Sequence, residues 1–156
     1  RMRSVLRGAE LSSLVAGEAG AVDAADWRRN TGYADAPLAV SFSTRCFWHA
    51  LERILTDAER VDVLRFATGL SAAPAGGFAN LVGYAGDAAP FTVAELASDA
   101  RDAPRALPMA HACFNTIRLP RLAERAFGGS VEAGGEEMAR RLRVATALGA
   151  RGFDNF

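Results

Sequence analysis

The sequence predicts an α+β domain in which short β-strands pack with several helices. Three features point to it. Apolar residues recur at helical spacing from Phe47 to Gly69 and again after Glu136, as in helices that bury one face. Between them, glycine and proline punctuate short aromatic and β-branched runs such as Phe91-Thr92-Val93, which read as strands. With 156 residues, half of them hydrophobic, the chain can bury one substantial core.

In chain order, Ala9–Ala16 carries Leu11, Leu14 and Val15 at helical spacing and meets Gly17, a helix-ending residue. Asp23 is an N-cap for a second helix that stops near Thr31 and Gly32. Gly32 to Pro37 then reads as a linker or hinge. Ser43 or Thr44 opens a helix whose apolar stripe is Phe47, Trp48, Leu51, Ile54 and Leu55. Thr56-Asp57-Ala58-Glu59 has the form of a capping box and starts the next helix, which ends at Gly69. Phe78–Val93 reads as a hairpin turning at Gly83–Asp87. Arg121–Gly135 carries no assignable pattern, and a last helix runs from about Glu136, with Gly149 beyond its end.

Charge and composition exclude several functional classes. Eighteen basic residues, all of them arginine, balance eighteen acidic ones, so no polyanion-binding surface dominates and nucleic acid is not an expected partner. No apolar run approaches bilayer length and no signal-peptide pattern is present, so no membrane association is expected. The chain opens at Arg1 without a methionine, so it is expected to be an excerpt of a longer protein. Cys46 and Cys113 form neither a disulfide framework nor a metal-ligand spacing, so no metal or other cofactor is expected. Two free thiols suit a reducing compartment. With no lysine, the chain offers no side-chain amine for a Schiff base or acyl transfer.

The candidate site is Leu107 to Pro120, a segment bracketed by Pro108 and Pro120 with His111 and Cys113 between them. Each proline biases its predecessor toward extended backbone. Strand alternation puts Phe114, Thr116 and Arg118 on one side and Cys113, Asn115, Ile117 and Leu119 on the other. Taken alone, Cys113 reads as an inert structural thiol, because free cysteines are among the most buried residues. Cys46 beside Phe47 has the same core reading, and His49 that of a packed or surface histidine.

The neighbouring blocks change that balance. Leu107-Pro108-Met109-Ala110-His111-Ala112-Cys113-Phe114-Asn115, followed by Leu119-Pro120, resembles the signature of HECT-type E3 ubiquitin ligases, Leu-Pro-x-Ala-His-Thr-Cys-Phe-Asn and then Leu-Pro. Further blocks resemble that family in the same order: Asp23–Tyr33, Phe47-Trp48, Phe66–Ser71 with Pro74–Phe78, and Gly152-Phe153. The resemblance implies the carboxyl-terminal lobe (C-lobe) of a HECT domain over residues 38–156. Residues 1–37 would be the last helices of the preceding N-lobe and the hinge, with Leu11, Leu14 and Trp27 lacking apolar partners.

The same resemblance implies an acyltransferase activity. Cys113 would accept ubiquitin from an E2 conjugating enzyme as a thioester and pass it to a lysine of a protein substrate. The E2 would dock on the absent N-lobe, and the setting would be cytoplasmic, extending to the nucleus. His111 would either help polarise the thiol or only shape its loop, and Phe114 is either a ubiquitin contact or a core aromatic. Leu107, Pro108, Phe114, Asn115, Leu119 and Pro120 would bind ubiquitin or shape the loop, and Phe153 would anchor the tail on the N-lobe. The sequence departs from the family at Ala112 in place of threonine, at Leu122 in place of tyrosine, and in a longer 121–135 segment. These departures keep open a non-catalytic remnant that binds ubiquitin or serves as a scaffold. A Cys–His hydrolase is a weaker alternative, because no orienting third group or oxyanion site is legible.

Overall fold

The computed structural model describes residues 21–154, with side chains through residue 150; the expected Ala9–Ala16 helix lies outside them. Helix α1 (Ala24–Arg29) begins where Asp23 accepts hydrogen bonds from the Ala25 and Asp26 amides at 3.0 and 3.1 Å. It stops at Arg29, because the next residues form strand β1 (Thr31–Tyr33) rather than a linker. Helix α2 (Ala36–Ala39) follows at once, capped by Asp35, which accepts from the Leu38 amide at 2.8 Å. Two ordered elements thus overlap the stretch from Gly32 to Pro37 that composition reads as a linker. The partner of β1 lies far downstream, which local composition does not reveal.

Helix α3 (Phe42–His49) opens earlier than Ser43, because Ser41 is the cap and accepts from the Thr44 amide at 3.1 Å. A π-helical turn, Ala50–Ile54, extends it. Helix α4 (Asp57–Thr68) has the predicted capping box: the Thr56 amide donates to Glu59 at 3.0 Å and the Glu59 amide to Thr56 Oγ1 at 3.2 Å. Gly69 ends it at φ 82°, a conformation that glycine adopts without a Cβ penalty.

The remaining strands are β2 (Phe91–Glu95), β3 (Met109–His111) and β4 (Thr116–Leu119). They join β1 in the order β1-β2-β4-β3, with β2 parallel to both β1 and β4 and β3 antiparallel to β4. The predicted Phe78–Val93 hairpin does not form. Phe78–Asn80 is a 3-10 turn, and Val82 and Ala88 make only an isolated bridge. The core claims Phe78: its ring stacks on Trp27 at 5.1 Å and its amide donates to Asp26 Oδ2 at 2.9 Å.

Trp27 corrects another expectation. It is not left without partners but is fully buried, stacked on Phe78 and edge-on to Trp48 and Phe91. Each such aromatic pair contributes about 0.5–1.5 kcal/mol beyond simple burial. Trp48 in turn donates to the Tyr33 hydroxyl at 3.0 Å. Residues on both sides of position 37 therefore share one core.

The last helix, α5 (Val131–Asp154), begins before Glu136 and runs through Gly149. A 3-10 turn, Glu124–Phe127, precedes it within the stretch that carried no pattern. Gly134 and Gly149, which look like breakers in the sequence, mark close approach instead. A Cβ at Gly134 would lie 2.4 Å from Cys46 Sγ and 2.9 Å from Phe42, so α5 can press onto α3 only with glycine there. Met138, Ala139 and Leu142 complete that buried seam.

Candidate functional site

Pro108 is buried and starts the approach to the site, and β3 carries the chain along the sheet edge to His111. The chain then closes into a 3-10 turn, Ala112–Phe114, and leaves it through Asn115 at φ 51°, ψ 41°. This left-handed conformation is disfavoured for side chains with a Cβ, but asparagine is among those that tolerate it. Here the Asn115 side chain also fixes the turn. Its Nδ2 donates to the carbonyls of Val82 and Ala89 at 2.9 and 2.8 Å, and the Asn115 backbone carbonyl accepts from the Thr92 amide at 2.9 Å. Only 1% of the residue is exposed, so each of these bonds replaces one that water would otherwise supply.

The base of the turn is the loop Val82–Ala89. The Tyr84 amide donates to the Cys113 carbonyl at 3.3 Å, and the Gly83 amide donates to Asp87 at 2.8 Å. A Cβ on Gly83 would come within 3.4 Å of the Cys113 carbonyl and 3.1 Å of Ala89 Cβ, so the turn rests almost directly on that backbone. Sequence reasoning missed this support. Asn115 was placed on a strand, whereas an asparagine after a short turn also marks a left-handed exit.

The left-handed residue shifts the side-chain alternation. From Thr116 to Leu119 the pattern is as predicted, with Ile117 and Leu119 buried and Thr116 and Arg118 half-buried. Upstream it breaks: Asn115 points inward, while Cys113 is exposed. Phe114 is 69% exposed, which removes its core reading. Met109, Tyr84 and Val82 are also exposed on the segments that frame the turn. His111 is exposed at the end of β3, Leu107 is half-buried, and Leu119 and Pro120 are buried. Phe153 lies on the backbone of α5, and its expected anchoring role falls outside the described side chains.

Cys46, by contrast, lies in the core, where burial pushes its thiol up from 9.0 to about 11, with Arg45 opposing and Glu124 adding to the shift. The structure thus offers one accessible thiol and one sequestered thiol. An accessible thiol on a braced turn can attack an activated acyl group, because the thiolate is the nucleophile and access limits its reactivity. Among the described residues, no cluster of histidine, cysteine and carboxylate side chains is arranged to hold a metal ion. No helix among them is long and apolar enough to cross a membrane.

Comparison with known proteins decides the family. Residues 1–155 match the HECT-domain (ubiquitin-transferase) family. The chain belongs to the HECT-domain family. It is 39% identical to human E3 ubiquitin-protein ligase HECW2 over 77% of this chain and 7% of the relative. The identity to human E3 ubiquitin-protein ligase NEDD4 is also 39%, over 71% of this chain and 8% of the relative. Human E3 ubiquitin-protein ligase HACE1 is 33% identical over 85% of this chain and 13% of its own length. This HECT-domain chain therefore spans only a small part of each of these ligases. Its α+β architecture, a small mixed sheet with several helices, is consistent with a fragment of the domain.

Proposed function

We propose that this chain includes the ubiquitin-carrying lobe of a HECT-type ubiquitin ligase, with residues on both sides of position 37 in its core, and that Cys113 is its acyl carrier. The observation that carries this proposal is the exposed Cys113 thiol on a turn braced by buried Asn115, in a chain of the HECT-domain family. In the first step Cys113 Sγ, as thiolate, attacks the thioester carbonyl joining ubiquitin to an E2. A new Cys113 thioester forms, and the E2 cysteine leaves as a thiolate. In the second step a substrate lysine amine attacks the Cys113 thioester. An amide forms, the amine gives up a proton, and the Cys113 thiolate is released. The first exchange swaps one thioester for another, so positioning and access matter more than driving force.

His111, exposed two residues before the thiol, would help position or polarise it. Phe114 would meet ubiquitin, whereas buried Pro108, Leu119 and Pro120 would shape the loop with Asn115 and half-buried Leu107. Phe153 would anchor the tail. The E2 would dock on the part of the HECT domain that precedes this chain, in the cytoplasm and nucleus.

In the full-length protein, a ubiquitin-charged E2 should yield a reductant-sensitive ubiquitin adduct that is lost in Cys113→Ala. An undiminished adduct in that variant would rule out Cys113 as carrier. Ala112 favours a second reading, since the residue before the thiol brings no hydroxyl. A remnant that only binds ubiquitin would take up ubiquitin in titration and never form the adduct.

A further inference from the structure

We propose that Arg141 is a positioning residue for the thiol turn, a clamp on the last helix that holds the strap leading into β3; this rests on Cys113 being the acyl carrier. The strap is the irregular run between β2 and β3, residues 96–108, which has no strand partner of its own. Its first half is tied to the sheet by an ionic cluster. Arg101 pairs with Glu95 at 3.2 Å, Arg121 pairs with Glu95 at 3.4 Å, and the Arg121 amide donates to the Arg101 carbonyl at 2.9 Å.

Its second half is held from α5. Arg141 is a cation only 8% exposed, and its guanidinium uses all three nitrogens. Nη1 donates to the Ala106 carbonyl at 3.1 Å, Nη2 to the Pro104 carbonyl at 3.1 Å, and Nε to Glu137 Oε2 at 2.7 Å. A planar fork suits such a three-way bridge, and the carboxylate neutralises a charge that would otherwise be costly to bury. Glu137 is itself held by Arg140, which donates to both of its oxygens at 3.0 and 2.7 Å. The clamped carbonyls of Pro104 and Ala106 lie just before Leu107 and Pro108, and from there β3 runs to His111 and into the turn that carries Cys113. The exit from the turn is fixed by Asn115, and farther on the Leu122 amide donates to Ser43 Oγ at 2.8 Å. Arg141 supplies the matching restraint on the entry side, so it sets where the turn begins without touching the reacting atoms.

The test uses the full-length protein with Arg141→Lys and Arg141→Met. Lysine keeps the pair with Glu137 but cannot bridge two carbonyls and a carboxylate in one plane. Arg141→Lys should leave the melting temperature near that of the parent while exchange of the Ala106 amide, which donates to the Ala103 carbonyl at 3.1 Å, rises about tenfold. Adduct formation at saturating charged E2 should fall about tenfold, with the half-saturating E2 concentration unchanged, as for a lost orienting restraint. Arg141→Met should show the same pattern more strongly, and if it fails to fold the lysine variant decides. A parental adduct rate in Arg141→Lys, or exchange that rises equally throughout the domain, would overturn the clamp. Cys113→Ala runs alongside: an adduct persisting there defeats the carrier assignment, whereas normal loading by Arg141→Lys with none by Cys113→Ala defeats the clamp alone.

Discussion

Cys46 and Cys113 are the chain's two cysteines, and the structure gives them opposite surroundings. Cys46 sits on the buried face of α3, with α5 pressed so close that only glycine fits opposite its sulfur. Cys113 sits on a one-turn excursion at the sheet edge, with its backbone held and its side chain free. The difference does not come from the residues immediately beside them, since both adjoin a phenylalanine. It comes from what anchors each backbone. A helix with an apolar stripe turns its cysteine inward, whereas a turn whose polar contacts are all on the backbone and on Asn115 leaves the thiol outward. Reactivity follows from that placement.

The sharpest way to break the contrast is to exchange the roles. Cys113→Ala should abolish the ubiquitin adduct, while Cys46→Ala should keep it. Loss of the adduct in Cys46→Ala, with folding intact by circular dichroism, would make the buried thiol the carrier instead. Next in size is Asn115→Ala, which removes two side-chain hydrogen bonds and puts a less tolerant residue at positive φ. A loss of about 2–4 kcal/mol in denaturant unfolding is expected, and a change below about 0.5 kcal/mol would show that the turn stands without its clamp.

Gly134→Ala should cost about 1–3 kcal/mol by overpacking against Cys46 and Phe42, and Cys46→Ala in the same chain should recover part of that loss. An additive double mutant would show that the sulfur is not what glycine accommodates. An effect confined to high pH is expected in alkaline stability. The Cys46 thiol is raised from 9.0 to about 11 in the fold, so between those values the unfolded chain gives up a proton that the folded chain keeps. Stability therefore declines as pH rises through that window. Cys46→Ala should flatten the decline in urea midpoints between about pH 9 and 11; a decline of equal slope would assign it to other groups.

Much of the site was legible because its signals are local. The cap at Asp23, the box at Thr56 and Glu59, and the αL end at Gly69 each depend on residues within one turn. The Leu107–Pro120 segment stood out by composition and by its likeness to a known signature. What local reading missed were consequences of distant contacts. Thr31–Tyr33 becomes a strand because Phe91–Val93 lies beside it, and Phe78 leaves its expected strand because Trp27 stacks on it. Gly134 in α5 falls in a stretch with no assignable pattern because Cys46, far back in the chain, is what requires its small size. The exposure of Cys113 is not legible from residue type, since the burial tendency of free cysteines carries no information on the 3-10 turn and left-handed step at Asn115.

The packing of Trp27 has a further use. Both tryptophans of the chain lie in a single buried cluster, their rings 6.2 Å apart and nearly perpendicular. Intrinsic emission excited in the indole band therefore reports on one place, the junction of α1, α3 and the sheet. Rings held this close also couple electronically, which should give near-ultraviolet circular dichroism a signature that disappears when either ring moves. A label-free optical probe of the core is thus already built into the chain, away from the exposed thiol.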